Sequence, residues 1–179
     1  MKNTHGTRTK RVACALSALA LTLTLAPNGA QTALASNTEA HYTSGFVSAQ
    51  EQSAGNLLNS DRARYGLAAL TIDPELSRIA RIKSEDMRDQ QYFAHTSPTY
   101  GDVRNMLTLM GYSYVSASEN IAHHATVEKA QAAFLSSPGH RRNVLSKNFT
   151  RVGIGIAYDA QGFVYLTPVS YTHLTLPTN

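Results

Sequence analysis

Apolar positions recur at three- and four-residue spacing through most of the chain and give way to strict alternation near its end. Ala54, Leu57, Leu58, Asp61 and Tyr65 keep helical spacing and Gly66 follows them, which predicts a helix from Ala49 to Tyr65. Leu67 to Ile72 reads as a short extended link. Asp73-Pro74-Glu75 is a strong helix start: a side-chain cap, a proline whose missing N–H had no partner, and an acid in the first turn. Leu76, Ile79, Ala80, Lys83 and Met87 carry one face of that helix to about Gln90, with Lys83 as an amphipathic filler on the apolar side. Tyr92 to Gly101 is a turn-rich loop, and Asp102 caps a third helix that Gly111 stops. Tyr112 to Val115 reads as extended, and Ser118 to Ala122 as strand or loop. Thr126 caps a fourth helix carrying Val127, Ala130, Gln131 and Phe134. Ser137, with a hydroxyl able to cap, and Pro138 at the first position then open a fifth.

From Val152 to Tyr158 the large residues alternate with Gly153, Gly155 and Ala157, a strand with one face nearly bare. Bare glycine in a strand marks close approach of another element or of a ligand. A turn at Asp159–Gly162 and a second strand over Phe163–Thr167 complete a hairpin. Helices come first and antiparallel strands late, so the pattern predicts an α+β fold with helices flanking a small sheet.

The ends change the picture. Lys2, Arg8, Lys10 and Arg11 precede an uncharged apolar run from Val12 to Ala26, and Ala33-Leu34-Ala35 offers small residues where a signal peptidase reads. This predicts a secretory signal over residues 1–35, cleaved near Ala35, and a secreted product. An apolar run of about fifteen residues is short for a span that needs roughly twenty, so no membrane span is expected in the mature form. Cys14, the single cysteine, leaves with the signal. The net charge of +4 belongs to the signal as well, because removing its four cations leaves twelve basic residues against all twelve acidic ones. That balance, with no basic run, argues against a nucleic-acid partner. Residues 36–48 read as a flexible lead. Residues 169–179 resemble the in-frame translation of a sequencing adapter, so the domain is expected over 49–168 and His173 is left out of any site.

Three ionisable residues stand apart from the amphipathic helical faces: His95, Glu119 and His140. Two imidazoles and a carboxylate are the residue types that hold a divalent cation with one position left for water. Equally, they form a proton-transfer set in which the carboxylate fixes one tautomer. His140, in a first helical turn, faces backbone N–H groups that disfavour a positive charge. Spacing alone leaves these readings open, along with that of three unrelated side chains. Serine nucleophiles have no support, since no Gly-x-Ser-x-Gly occurs.

Asn59-Ser60-Asp61-Arg62, Tyr92-Phe93-Ala94-His95-Thr96-Ser97-Pro98, Ser118-Glu119-Asn120-Ile121-Ala122 and Ser137-Pro138-Gly139-His140-Arg141-Arg142-Asn143-Val144-Leu145 occur in that order, followed by Phe149-Thr150-Arg151-Val152-Gly153-Ile154-Gly155. Together they resemble the secreted bacterial, SCP-like branch of the CAP superfamily, which groups cysteine-rich secretory proteins, antigen 5 and plant pathogenesis-related proteins. The resemblance implies a three-layer α-β-α sandwich around a small antiparallel sheet, with His95, Glu119 and His140 lining one cleft. It further implies a divalent cation such as zinc on His95 and His140. Many relatives add a second glutamate where this chain has Ser137, and a tryptophan where it has Phe134. His123 and His124 offer a substitute ligand or a surface pair. Three functions follow as expectations: an extracellular module binding a small or lipid-like ligand, a metal-assisted hydrolase using His95, Glu119 and His140, and an interaction domain with a vestigial cleft.

Overall fold

The computed structural model describes residues 45–172, so the expected signal over 1–35, most of the lead and residues 173–179 lie outside it. The chain runs α1 (Ala49–Arg64), β1 (Thr71–Ile72), α2 (Pro74–Asp89), α3 (Val103–Leu109), β2 (Ser116–Glu119), β3 (Ala122–His124), α4 (Val127–Ser136), α5 (Pro138–Val144), β4 (Arg151–Tyr158) and β5 (Val164–Thr172). The sheet has the order β1-β4-β5-β2, with β3 also on β5. It is antiparallel except at its rim, where Thr71 and Ile72 of the predicted link pair in parallel with Arg151 and Val152. Helices α2 and α3 cover one face; α1, α4 and α5 cover the other. Among the described residues no helix is long and apolar enough to cross a membrane.

Helix α2 is the centre of the packing. Asp73 caps it by accepting from Leu76 N at 3.0 Å, and Arg151 and the end of β5 gather on the same carboxylate. Gly153 and Gly155 of β4 lie beneath it. A Cβ on Gly153 would stand 2.4 Å from the Leu76 carbonyl oxygen, and one on Gly155 only 2.1 Å from that of Ala80. The bare strand face is thus where a helix backbone presses on the sheet. Ser77 and Ser84 stitch the contact: Ile154 N donates to Ser77 Oγ at 3.1 Å, and Ser84 Oγ donates to Gly155 O at 3.1 Å. On the opposite face Val152, Ile154 and Ile156 meet Ala54, Leu58, Ala130 and Phe134.

Two buried ionic groups hold α1. Glu51 completes a capping box with Ser48 and also takes a two-pronged bond from Arg81 of α2, at 2.7 and 2.6 Å. Arg62 gives its guanidinium to three backbone carbonyls, of Ala68, Val144 and Ser146, tying the end of α1 to the end of α5.

Three details depart from the sequence expectation. The last strand starts at Val164 and continues to Thr172, past both Thr167 and the expected end of the domain at Pro168. Val169 and Tyr171 keep the alternation and are buried under α2 and α3, so residues 169–172 are part of the sheet. Ser137 makes no side-chain cap; it closes α4 and opens α5 at once through its backbone, its N–H donating to Ala133 O and its carbonyl accepting from Arg141 N. Lys83 is not a filler reaching for water; it is 1% exposed.

Candidate functional site

His95 stands on the loop between α2 and α3, and the sequence shapes that loop tightly. Gln91 turns the chain out of α2 with a φ of 54°. Ser97 and Gly101 then exchange backbone bonds at 2.7 and 2.9 Å, which closes a small cycle. The Ser97 hydroxyl accepts from Thr99 N and Tyr100 N and donates to Asp86 at 2.7 Å, anchoring the cycle on α2. Asp86 also accepts from the Tyr92 hydroxyl.

Glu119 ends β2, where the ladder along β5 is interrupted before β3 begins, and Asn120 N bonds Pro168 O across the gap at 3.0 Å. Its carboxylate is 3% exposed and its Oε1 lies 2.8 Å from His95 Nδ1. A carboxylate only accepts, so the facing ring nitrogen carries the hydrogen, and His95 Nε2 is left for other partners. Glu119 Oε2 is buried without a hydrogen-bond partner. A buried carboxylate oxygen without a partner costs on the order of 1–3 kcal/mol.

His140 comes from α5, with its ring edge-on to Phe134 at 5.4 Å. Two asparagines tie its backbone to the end of β2. Asn120 Nδ2 donates to His140 O at 3.0 Å, and Asn143 Nδ2 donates to Asn120 Oδ1 at 2.8 Å. The motif asparagines therefore fasten the strand that carries Glu119 to the helix that carries His140.

The two imidazoles are tuned apart. The hydrogen bond to Glu119 holds His95 above the usual histidine pKa, against the opposing effect of burial. Burial pushes His140 down, and the neighbouring charge of His95 pushes it further. An NMR titration should find His95 titrating above about 6.5 and His140 below it. A reversed order would contradict the pairing of His95 with Glu119.

The other candidates go elsewhere. His123 lies on β3, where it bonds Asp159 at 2.8 Å and stacks on Tyr165 at 4.1 Å. His124 accepts from Ala125 N. Neither reaches the cluster as a substitute ligand. Glu128 borders a different concavity, a cavity of about 490 Å³ between the first half of α1 and the start of α4. Its walls are Ala49, Ser53, Ala54, Leu57, Val127 and Tyr158, with Gln50 and Glu128 at its border. It includes none of the three cluster residues, yet α4 borders it and also carries Phe134, against which His140 packs. Sequence reasoning misses this groove, because its walls lie some seventy or more residues apart and each reads as an ordinary helix face.

A divalent cation is the group that the resemblance implies here. The residue types suit it in part: His95 has its tautomer set by a carboxylate, as metal-binding histidines generally do. Among the described residues, however, no group of three or more His, Cys, Asp or Glu is placed to hold a metal.

Comparison with known proteins agrees with the architecture. The family model described as "CAP: Cysteine-rich secretory protein family" matches residues 56–171. The Bacillus subtilis protein YkwD is 47% identical over 110 residues, covering 61% of this chain and 43% of its own. The B. subtilis membrane protein YlbC is 34% identical over 112 residues, covering 61% of this chain and 32% of its own. The chain thus spans less than half the length of these curated relatives. An extracellular protein containing a SCP domain from Bacillus anthracis superposes with a TM-score of 0.63 at 31% identity, over 69% of this chain and 40% of that one. An outer surface protein from Borrelia burgdorferi also reaches 0.63, at 15% identity over 68% and 91% of the two chains, a likeness of fold alone.

Proposed function

The chain belongs to the CAP, or cysteine-rich secretory protein, family, and from that premise we propose that it is an extracellular module binding a small apolar or lipid-like ligand. The groove between α1 and α4 carries this reading. Its volume of about 490 Å³ falls in the range of roughly 300–1,000 Å³ common for small-molecule sites. Small side chains on α1 make room in it, while Leu57, Val127 and Tyr158 supply apolar wall and Gln50 and Glu128 a polar edge. That composition suits a molecule with an apolar body and one polar end. The description of the B. anthracis relative as extracellular, together with the expected export signal, supports the location.

A long-chain fluorescent fatty acid should bind the purified protein, and native-host material should release an apolar molecule on extraction. Ser53→Trp fills the groove from its exposed edge and should weaken probe binding about tenfold or more. Equal affinity in that variant removes the groove from the binding site.

A second reading, hydrolysis assisted by a divalent cation such as zinc, is favoured by the partnerless Glu119 Oε2 beside His95. His95 and His140 would hold the ion, which when bound supplies a Lewis acid and an acidified water. The protein's own contribution is a carboxylate able to take a proton and an imidazole fixed in one tautomer.

A further inference from the structure

His123 belongs to a group of rings that neither reading uses. It lies opposite Tyr165 on the β3–β5 ladder, and the two rings stack at 4.1 Å with 16° between their planes. Phe163 and Phe93 stand around the imidazole at 5.6 and 6.5 Å, tilted by 52° and 44°. Tyr165 is part of a small core with Met87, Ile121 and Ala157, whereas Phe93 is 52% exposed and Phe163 43%.

Exposed though they are, these rings are held in place. The buried ammonium of Lys83 donates to Tyr92 Oη at 3.0 Å and to Ala94 O at 2.8 Å, on either side of Phe93. Asp159 Oδ1 accepts from Phe163 N at 2.9 Å and from Gln161 N at 3.0 Å, which fixes the turn between β4 and β5. Its Oδ2 lies 2.8 Å from His123 Nε2. The rings thus form a platform that is ordered before anything binds, so little conformational entropy is left to lose.

We propose that this platform binds a pyranose ring of a neutral glycan. Contiguous exposed aromatic rings mark a binding surface, and the composition here selects its occupant. The faces of Phe93 and Phe163 suit the C–H groups of a sugar, whose polarised hydrogens meet the negative face of an aromatic ring. The polar members are acceptors. Asp159 is a carboxylate, and a neutral His123 that gives Nε2–H to it keeps Nδ1 as an acceptor. Hydroxyl groups along the edge of a pyranose are the donors that match them. An apolar chain, of a lipid or of a helix face, offers those acceptors no donor and would leave them unpaired. An anionic group would meet the Asp159 carboxylate and be repelled. The platform shares no residue with the α1–α4 groove or with the His95–Glu119 pair.

The test is an NMR titration of the isotope-labelled mature chain with soluble oligomers of glucose and of N-acetylglucosamine, and in parallel with phosphatidylcholine vesicles. At least one oligomer should bind with a Kd of about 1 mM or tighter. It should shift the ring resonances of His123, Phe93 and Phe163 more than those of His140. Phe93→Ala and Phe163→Ala should each weaken binding about tenfold, the usual worth of one stacking ring. Phe163→Tyr keeps the ring face and should bind as wild type does. If either alanine variant does not fold, the other and the wild-type shifts decide. Several results would overturn the proposal: no binding by either oligomer, shifts centred elsewhere, or wild-type affinity in the alanine variants. Binding of the vesicles alone, lost in those variants, would assign the platform to a lipid surface and overturn it as well. Ser53→Trp should leave oligomer affinity unchanged, so failure of the groove and failure of the platform are read separately.

Discussion

Gly155→Ala should destabilise the domain by about 3 kcal/mol or more, at or beyond the upper end of ordinary overpacking. The added carbon would lie 2.0 Å from the carbonyl carbon of Ala80, 2.1 Å from its oxygen and 2.3 Å from Arg81 N. These are backbone atoms in the middle of a sixteen-residue helix, so no rotamer change relieves the clash. Only withdrawal of α2 does, which breaks the Ser84 bond to Gly155 O and opens the buried contact with β5. Gly162→Ala is the comparison. That glycine has a φ of 82° and open space around it, so its replacement costs only the left-handed backbone penalty of about 1–2 kcal/mol. Urea unfolding of both variants separates crowding from backbone strain. A Gly155→Ala protein within about 1 kcal/mol of wild type would mean that α2 does not press on β4 as described.

That contact is legible in the chain. Alternation of Gly153, Gly155 and Ala157 with large residues announces a close approach, and Asp73-Pro74-Glu75 announces the helix that makes it. Both are local signals, in which one short stretch fixes its own backbone and face. What stays hidden depends on partners far along the chain. Periodicity places Lys83 on the apolar face but cannot tell an exposed head from one met by the Tyr92 hydroxyl and the Ala94 carbonyl. The Glu51–Arg81 pair and the Val144 and Ser146 carbonyls on Arg62 are long-range facts of that kind. The end of β5 escapes for another reason: the likeness of residues 169–172 to an adapter outweighs the continuing alternation of Val169 and Tyr171. His95, Glu119 and His140 stand out by residue type, but only the family resemblance places them in one cleft, since side chains so far apart meet only through the fold. Membership of the family is established by comparison; the chemistry of the cluster is not carried with it.

Glu119→Gln tests that chemistry most directly. The amide keeps the size of the side chain and removes the anion, so His95 should drop from above the ordinary histidine value to near or below it, because the hydrogen bond to Glu119 is the largest cause of its elevation. His140 should rise, since part of its depression comes from the charge on His95, and the two titrations should converge. The effect on stability has a definite sign. A pKa raised in the folded state contributes stability that is fully present below about 6.5, the unfolded value, and fades as pH climbs through the folded one. The variant should therefore lose more stability near pH 6 than near pH 8; a loss that grows with pH would contradict the pairing. If the cluster hydrolyses a peptide or ester in the presence of zinc, Glu119→Gln should lower turnover by about 10²- to 10⁴-fold, the usual worth of a positioned general base. His140→Ala should abolish it. Neither residue lines the α1–α4 groove, so affinity for the fatty-acid probe should be unaltered in Glu119→Gln. A variant that loses turnover and keeps the probe makes the groove and the cluster two parts of one enzyme. If no turnover exists to lose and the probe still binds, the groove alone carries the function.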